Sequence, residues 1–484
     1  MTLTERTETR RRDALVALDA RAQARLGQFF TPAAASDLIA SLVDLDALPP
    51  TVRILDPGAG VGSLTVALVE RIRGERPDIE VHAVAVEIDP AVTPTLAETL
   101  DELSQYDNVT VELIEGDFVA LATARDPRLA QPFDLVIQNP PYGKLAAADP
   151  SRRAVARALV DVPNIYAAFW ALGVHALRPG GQCVAIVPRS WANGTYFEPF
   201  RVWMLYHSSI DTLHVFESRS VVFADTGVLQ ENVIVSGTRG RDSQIVKLTA
   251  SVGHADDVVT KEVPFAVVVK DDDPHRFVRF TDGATSVPSA AVYTLADLGI
   301  TASTGRVVDF RSRAWLSQEP EPGSVPMVYQ GNIRAGSVVH PRSEVPKPQH
   351  YRAAVPEAAK WLVPEGTYVL IKRFSAKEER RRVVAGVWDS PGAVAFDNKT
   401  NYLHERKKGL DPDLARGLML WLNSTPLDQA FRTFSGHTQV NAGDLRVLPF
   451  PSREHLVRLG HALPTGVLPD QELIDKLVQE ALAD

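Results

Sequence analysis

The residues Asn139-Pro140-Pro141-Tyr142 have types and an order that suit one kind of chemistry. An aromatic amino nitrogen is a poor nucleophile, because its lone pair is delocalised into the ring. Two acceptors on its hydrogens, the Asn139 side-chain carbonyl and the Pro140 main-chain carbonyl, would draw that lone pair out of conjugation. The prolines stiffen the loop and fix the carbonyl direction. Tyr142 offers a flat face to a base extruded from a duplex. The bland alternative is a Pro-Pro turn with a structural tyrosine. Against it, the stretch follows Phe133-Asp134-Leu135-Val136-Ile137, which reads as a strand. That places it at the C-terminal edge of a sheet, where ligands bind in open α/β folds.

A second constellation is Asp56-x-Gly58-x-Gly60-x-Gly62, directly after a strand and opening a helix. Glycines there permit a tight turn and let a ligand approach the backbone at a helix N-terminus. Alone, such a turn is as readily structural. Glu87, at the end of the next strand, changes the balance, because a carboxylate there can bind both hydroxyls of a nucleoside ribose. A dinucleotide would also fit. The spacing departs from G-x-G-x-x-G, however, and Asp56 would repel a pyrophosphate. It would attract an ammonium, as in the methionine part of S-adenosylmethionine.

The elements that must position these residues alternate. Strands are predicted at 52–55, 81–86, 109–114, 134–137, 183–187, 212–216 and 232–236. Thr31-Pro32 is a good helix start. Leu64, Leu68 and Ile72 share a helical face, and a helix over 164–178 is stopped by Pro179-Gly180-Gly181. This pattern predicts an α/β fold with a Rossmann-like, doubly wound, mostly parallel sheet. It fades near residue 240, so a domain of 1–242 is expected, followed by an α+β domain of 243–484.

In this order the motifs resemble those of the γ-class amino-methyltransferases of restriction–modification systems, especially the TaqI-like adenine-specific type. Gly27-Gln28-Phe29-Phe30-Thr31-Pro32 comes first, then Asp56 to Gly62, Glu87, Gly116-Asp117-Phe118 and Asn139 to Tyr142. Asn164-Ile165-Tyr166-Ala167-Ala168-Phe169 and Val187-Pro188-Arg189-Ser190-Trp191 follow. The resemblance implies S-adenosylmethionine as cofactor, with Thr31 and Asp56 at its methionine end. Gly58 and Gly60 would lie under it, Glu87 on its ribose, Asp117 on its adenine amino group and Phe118 against that ring. It implies a catalytic set of Asn139, Pro140, Pro141 and Tyr142, with Phe197 stacking on the target base and Tyr196 as the fallback. Val325-Pro326-Met327-Val328 with Gly331-Asn332-Ile333 is similar to the start of that family's specificity domain. Ser435-Gly436-His437-Thr438-Gln439-Val440-Asn441 resembles methyltransferases paired with PstI-type restriction enzymes.

Net charge is −9, yet residues 372–408 hold ten Lys or Arg against five Asp or Glu. Cations suit phosphates, while Asn and Arg suit base edges. Lys372, Arg373, Arg380, Arg381, Arg382, Asn398 and Asn401 are therefore the expected DNA contacts. The bland alternative is a solvated charged helix through Glu378-Glu379-Arg380-Arg381-Arg382. The expected activity is methylation of adenine N6 in a specific duplex DNA site, probed by a monomer, with a restriction endonuclease of the same site as a possible counterpart. Cytosine N4, a protein glutamine amide, or a non-catalytic DNA-binding subunit are the alternatives. The single cysteine, Cys183, lies in an apolar run and is expected as core. No secretory signal, membrane helix, metal site or fused nuclease ahead of residue 27 is expected, which suits the cytoplasm.

Overall fold

The computed structural model describes residues 1–17, 30–216, 232–282, 287–375, 379–434, 439–463 and 470–483. It divides into two compact units, Met1–Gly283 and Ala284–Asp484. Among the described residues, no helix is long and apolar enough to cross a membrane.

In the first unit, five parallel strands carry the predicted motifs: β1 (Thr51–Asp56), β2 (Glu80–Glu87), β3 (Val109–Glu115), β4 (Phe133–Gln138) and β5 (Leu177–Pro188). They read as nearly unbroken apolar runs because helices cover both faces. One core packs Leu55, Val84, Phe118, Val136, Phe169 and Cys183. The other packs Ile54, Ala83, Leu68, Ile137 and Ile186. β6 (Thr212–Phe216), β7 (Asn232–Thr238), β8 (Ile245–Ser251) and β9 (Val259–Pro264) complete a nine-stranded sheet of order β3-β2-β1-β4-β5-β7-β6-β8-β9. The connectivity reverses between β1 and β4, the switch point at which α/β sheets bind ligands.

The helices are α1 (Leu3–Ala17), α2 (Ala33–Ser41), α3 (Ser63–Glu75), α4 (Thr93–Leu103), α5 (Phe118–Thr123), α6 (Pro150–Ala158), α7 (Ile165–Ala176) and α8 (Glu198–His207). Their starts follow capping chemistry. Asp117, Asp149 and Asn164 each accept a hydrogen bond from a main-chain N–H of the first turn of α5, α6 and α7. Gly62, at φ +89°, supplies the left-handed turn into α3.

Two expectations are corrected. The first unit runs past residue 242, because β8 pairs in parallel with β6 and β9 pairs with β8. β9 is largely exposed, so it lacks the apolar signal of a buried strand. Pro179-Gly180-Gly181 does not precede β5 but lies within it: the register with β4 shifts between Phe133 and Leu135, and Gly180 takes φ +79°.

The second unit holds a five-stranded sheet built from Thr301–Thr304, Thr400–His404, Gly366–Lys372, Ala385–Ser390 and Gly336–Ser337, in that spatial order, and a smaller four-stranded sheet. Helices Pro412–Leu422, Thr425–Phe434, Arg453–His461 and Gln471–Ala481 follow. Gly417 lets two of them touch, since a Cβ there would lie 1.7 Å from the Leu456 carbonyl oxygen.

Candidate active site

β1 ends in Asp56, whose carboxylate is buried at the base of the glycine turn. Its Oδ2 accepts from the Thr65 hydroxyl at 2.9 Å, while Oδ1 is buried with no partner. Burial pushes the carboxyl up to about 7, with nearby Glu87 adding in the same direction. β2 ends in Glu87, whose Oε2 accepts from Gly60 N at 2.8 Å. Its Oε1 accepts from Ile88 N and Asp89 N at 2.9 and 2.8 Å. Burial raises this carboxyl too, and the three main-chain donors oppose the rise. Glu87 thus first holds the turn it was expected to serve. Ile88, beside it, leaves an apolar side chain half exposed.

Behind the turn, the Phe169 ring lies 3.4 Å from where a Cβ on Gly58 would stand. Phe169 also packs at 5.2 Å against Phe118, which is fully buried. The Phe30 ring would lie 2.8 Å from a Cβ on Gly60, which takes φ +56°. Asp117 uses Oδ1 to cap α5 through Val119 N, leaving Oδ2 for another donor. Phe30 and Phe169 belong to quoted motifs, but nothing in their spacing reveals that they flank the turn.

The loop expected to be catalytic leaves β4 at Gln138. Asn139 donates through Nδ2 to the Thr31 hydroxyl at 3.0 Å and accepts through Oδ1 from Tyr142 OH at 3.3 Å. Pro140 is buried, while Pro141 and Tyr142 are half-buried. The apolar surroundings of Tyr142 raise its phenol far above the ordinary range. Its ring meets Tyr166 edge-on at 6.3 Å, and Tyr166 stacks on Phe197 at 5.4 Å with an interplanar angle of 25°. Phe197 is buried and gives one face to Tyr166, whereas Tyr196 is 85% exposed. Gly194 makes room for the Phe197 ring, which would lie 2.8 Å from a Cβ there. Of the N-terminal motif, Phe30-Thr31-Pro32 is in place and Gly27-Gln28-Phe29 lies outside the described residues.

Residues 91–223 match the Eco57I restriction-modification methylase family. The chain is 39% identical over 458 residues to the type II methyltransferase M.BsuBI of Bacillus subtilis, covering 90% of both chains. It is 37% identical to the type II methyltransferase M.PstI of Providencia stuartii, covering 96% of this chain and 94% of that one. The chain belongs to the type II methyltransferases. Its fold is similar to that of the type IIL restriction-modification enzyme MmeI, solved in complex with DNA, with a TM-score of 0.57 at 13% identity. That likeness covers 93% of this chain and 71% of that one.

The cofactor that goes with that membership is S-adenosylmethionine, and the residues fit it. Asp56 Oδ1 is a buried acceptor awaiting a donor. The two Glu87 oxygens offer about four acceptor sites, of which three are taken, so a ribose hydroxyl finds one. Among the described residues no cluster of three or more His, Cys, Asp or Glu could hold a metal ion.

In the second unit the expected DNA contacts separate. Arg382 is 1% exposed: its Nε donates to Ser375 Oγ at 3.1 Å, and its guanidinium lies 5.2 Å over the Phe431 ring. Asn401 is fully buried, accepting from Thr304 Oγ1 at 2.9 Å and donating to the Val440 carbonyl at 2.6 Å. Neither is available to DNA, which corrects both expectations. The bland alternative, a charged helix over 378–382, is not helical in its described part; Lys377 and Glu378 lie outside the described residues. Arg381 is half-buried and reaches Asn423 Oδ1 at 3.5 Å. Arg380 is exposed.

Arg373 is a staple: it donates to the Asn398 carbonyl at 3.0 Å and to Asn441 Oδ1 at 3.4 Å. It thereby ties the loops after Gly366–Lys372 and before Thr400–His404 to the segment at Asn441. Gln330 joins them, accepting from Phe374 N at 3.3 Å. Lys372, with Arg334 and Arg342 nearby, has its ammonium pKa lowered by burial. Asn398 is partly exposed at the same end, beside the 38% exposed Phe374. Gln330 and Arg334 are polar groups there that sequence reading passed over, because they come from a loop about forty residues upstream. Asn332 is instead a buried brace between Tyr329 N, the Val339 carbonyl and Gln349. Ser435-Gly436-His437-Thr438 lies outside the described residues.

Proposed function

We propose that this methyltransferase modifies the exocyclic N6 of an adenine extruded from a specific site in duplex DNA, as the modification partner of a restriction endonuclease reading the same site. The orientation of the Asn139 amide carries the proposal. With Nδ2 donating to Thr31 and Oδ1 accepting from Tyr142 OH at 3.3 Å, the amide is held with Oδ1 as its acceptor end, as an amino group with two hydrogens requires. Oδ1 and the Pro140 carbonyl take those two hydrogens, and the nitrogen lone pair is turned out of the ring. Bound S-adenosylmethionine supplies an electrophilic methyl group. Asn139 and Pro140 hold the nitrogen for in-line attack, and the proton it sheds leaves on the side of these two oxygens.

No covalent enzyme intermediate is required. Cys183 is buried on β5 with its thiol pushed up to about 12 by burial, which argues against thiolate chemistry of the cytosine C5 type. The loop cluster around Arg373, Gln330, Phe374 and Asn398 in the second unit is proposed to read the DNA. Transfer of tritium from labelled cofactor to DNA, followed by nucleoside analysis, tests this function. N6-methyladenine supports it, and label in cytosine N4 or in protein overturns it.

A further inference from the structure

Apart from the groups on the target base, sequence reading placed every DNA contact in the second unit, but the first unit carries an unassigned cationic surface. Residues 143–164 leave the catalytic loop one residue after Tyr142 and return to α7. Their two ends are sewn together: Leu145 N donates to the Pro163 carbonyl at 3.0 Å, and Ile165 N to the Gly143 carbonyl at 2.9 Å. Lys144 bridges Asn164, whose Oδ1 also accepts from Gly143 N at 3.3 Å. The segment is a fixed platform rather than a loose insertion.

Its charge is one-sided. It holds Lys144, Arg152, Arg153 and Arg157 against Asp149 and Asp161. Both acids are engaged: Asp149 caps α6, and Asp161 grips Arg152 with two hydrogen bonds at 2.7 and 2.6 Å. Val155 is buried and docks the helix on the core. Arg153 and Arg157 stand four residues apart, hence on one face, and that face is turned away from Val155. Both are exposed, as is Lys144, and none of the three has an acidic partner among the described residues. In a chain of net charge −9, these three solvated cations, on the segment that continues from Tyr142, stand open to an anion from outside.

We infer that Lys144 and the outer face of α6 form a phosphate-binding surface for duplex DNA within the catalytic unit. The inference rests on the proposed function. A nucleotide brought to Asn139 stays covalently joined to its 5′ and 3′ phosphates, so its backbone passes the residues that continue the loop. Phosphate contacts of this kind position the duplex without reading sequence. Each releases condensed counterions, steepening the salt dependence of binding by about 0.9 per phosphate.

The test uses the full chain, a duplex that it methylates and an unrelated duplex, with binding followed by anisotropy across a sodium chloride series. Arg153→Glu/Arg157→Glu is expected to weaken both duplexes about tenfold or more and to lower the salt slope by about two. KM for DNA should rise with kcat near native, and calorimetric binding of S-adenosylmethionine should be unchanged. If charge reversal disturbs folding, Arg153→Gln/Arg157→Gln gives a smaller loss in the same direction. Unchanged affinity and slope in a folded variant overturn the surface while leaving the proposed function intact. A wild-type chain that binds DNA but puts no methyl group on an amino nitrogen overturns the proposed function instead.

Discussion

The Asn139 amide donates to the Thr31 hydroxyl at 3.0 Å, joining the N-terminal motif to the catalytic loop. An expected cofactor contact is thereby also proposed as a positioning residue. Thr31→Val removes the acceptor at nearly constant volume and frees the amide to turn over. A loss of about 1–1.5 kcal/mol in the transition state, roughly tenfold in kcat, is expected, with Thr31→Ser restoring most of it. Full activity in Thr31→Val would show that the amide needs no such anchor.

Asn139→Ala deletes one of the two acceptors proposed for the reacting nitrogen. Turnover is expected to fall at least a hundredfold, about 3 kcal/mol, while S-adenosylmethionine still binds. Single-turnover methylation beside calorimetry separates the two effects.

Glu87→Ala is expected to weaken S-adenosylmethionine binding tenfold or more, as a charge-assisted bond of about 1.5–3 kcal/mol is lost. Because the carboxylate also braces Gly60, Ile88 and Asp89, the melting temperature of the cofactor-free protein should drop as well. A weakened site with an unchanged melting temperature would contradict that bracing.

Asp56 gives a pH dependence with a definite sign. Its folded pKa, about 7, lies above its unfolded value, so the folded chain keeps this proton longer. The stability that it contributes is present at acid pH and is lost as pH rises from about 4 to about 7. An ammonium binds the ionised form, so S-adenosylmethionine affinity is expected to improve between pH 6 and pH 8. Asp56→Asn should flatten that profile in a calorimetric pH series.

Arg380 and Arg382 are close in sequence and opposite in expected behaviour. Arg382→Ala removes a buried guanidinium from its contacts with Ser375 and the Phe431 ring. It should cost about 3 kcal/mol of stability, seen as a lower melting temperature. Arg380→Glu should leave melting unchanged, weaken DNA binding on any sequence and lower the salt slope by about one.

A fragment of residues 1–283 is expected to fold cooperatively and bind S-adenosylmethionine, whereas 1–242 should aggregate. Cutting at 242 strips β8 from β6 and leaves an unpaired strand edge. Equal solubility of the two fragments would show that β8 and β9 are dispensable.

The catalytic unit is legible in the sequence because buried parallel strands and glycine turns are local signals. Residues 133–137 and 52–56 announce both a strand and the functional turn after it. β8 is not legible, since its partner β6 lies some thirty residues upstream and its own pattern is mixed. Gly180 misleads because a bulge uses the same residues as a helix stop. In the second unit, a run of cations cannot reveal which is buried: Arg380 and Arg382 look alike until Phe431 and Asp428 arrive from a helix far along the chain.

Phe30 and Thr31 are consecutive, and they face different sites. The Phe30 ring closes on Gly60 of the cofactor turn, while the Thr31 hydroxyl holds the catalytic amide. Any displacement of the turn by an occupant is therefore expected to be felt one residue away at Asn139, the group proposed to receive the target base. Two ligands biasing one short segment are thermodynamically linked, and linkage is symmetric. Whatever factor the cofactor adds to the affinity for DNA, DNA must return to the cofactor.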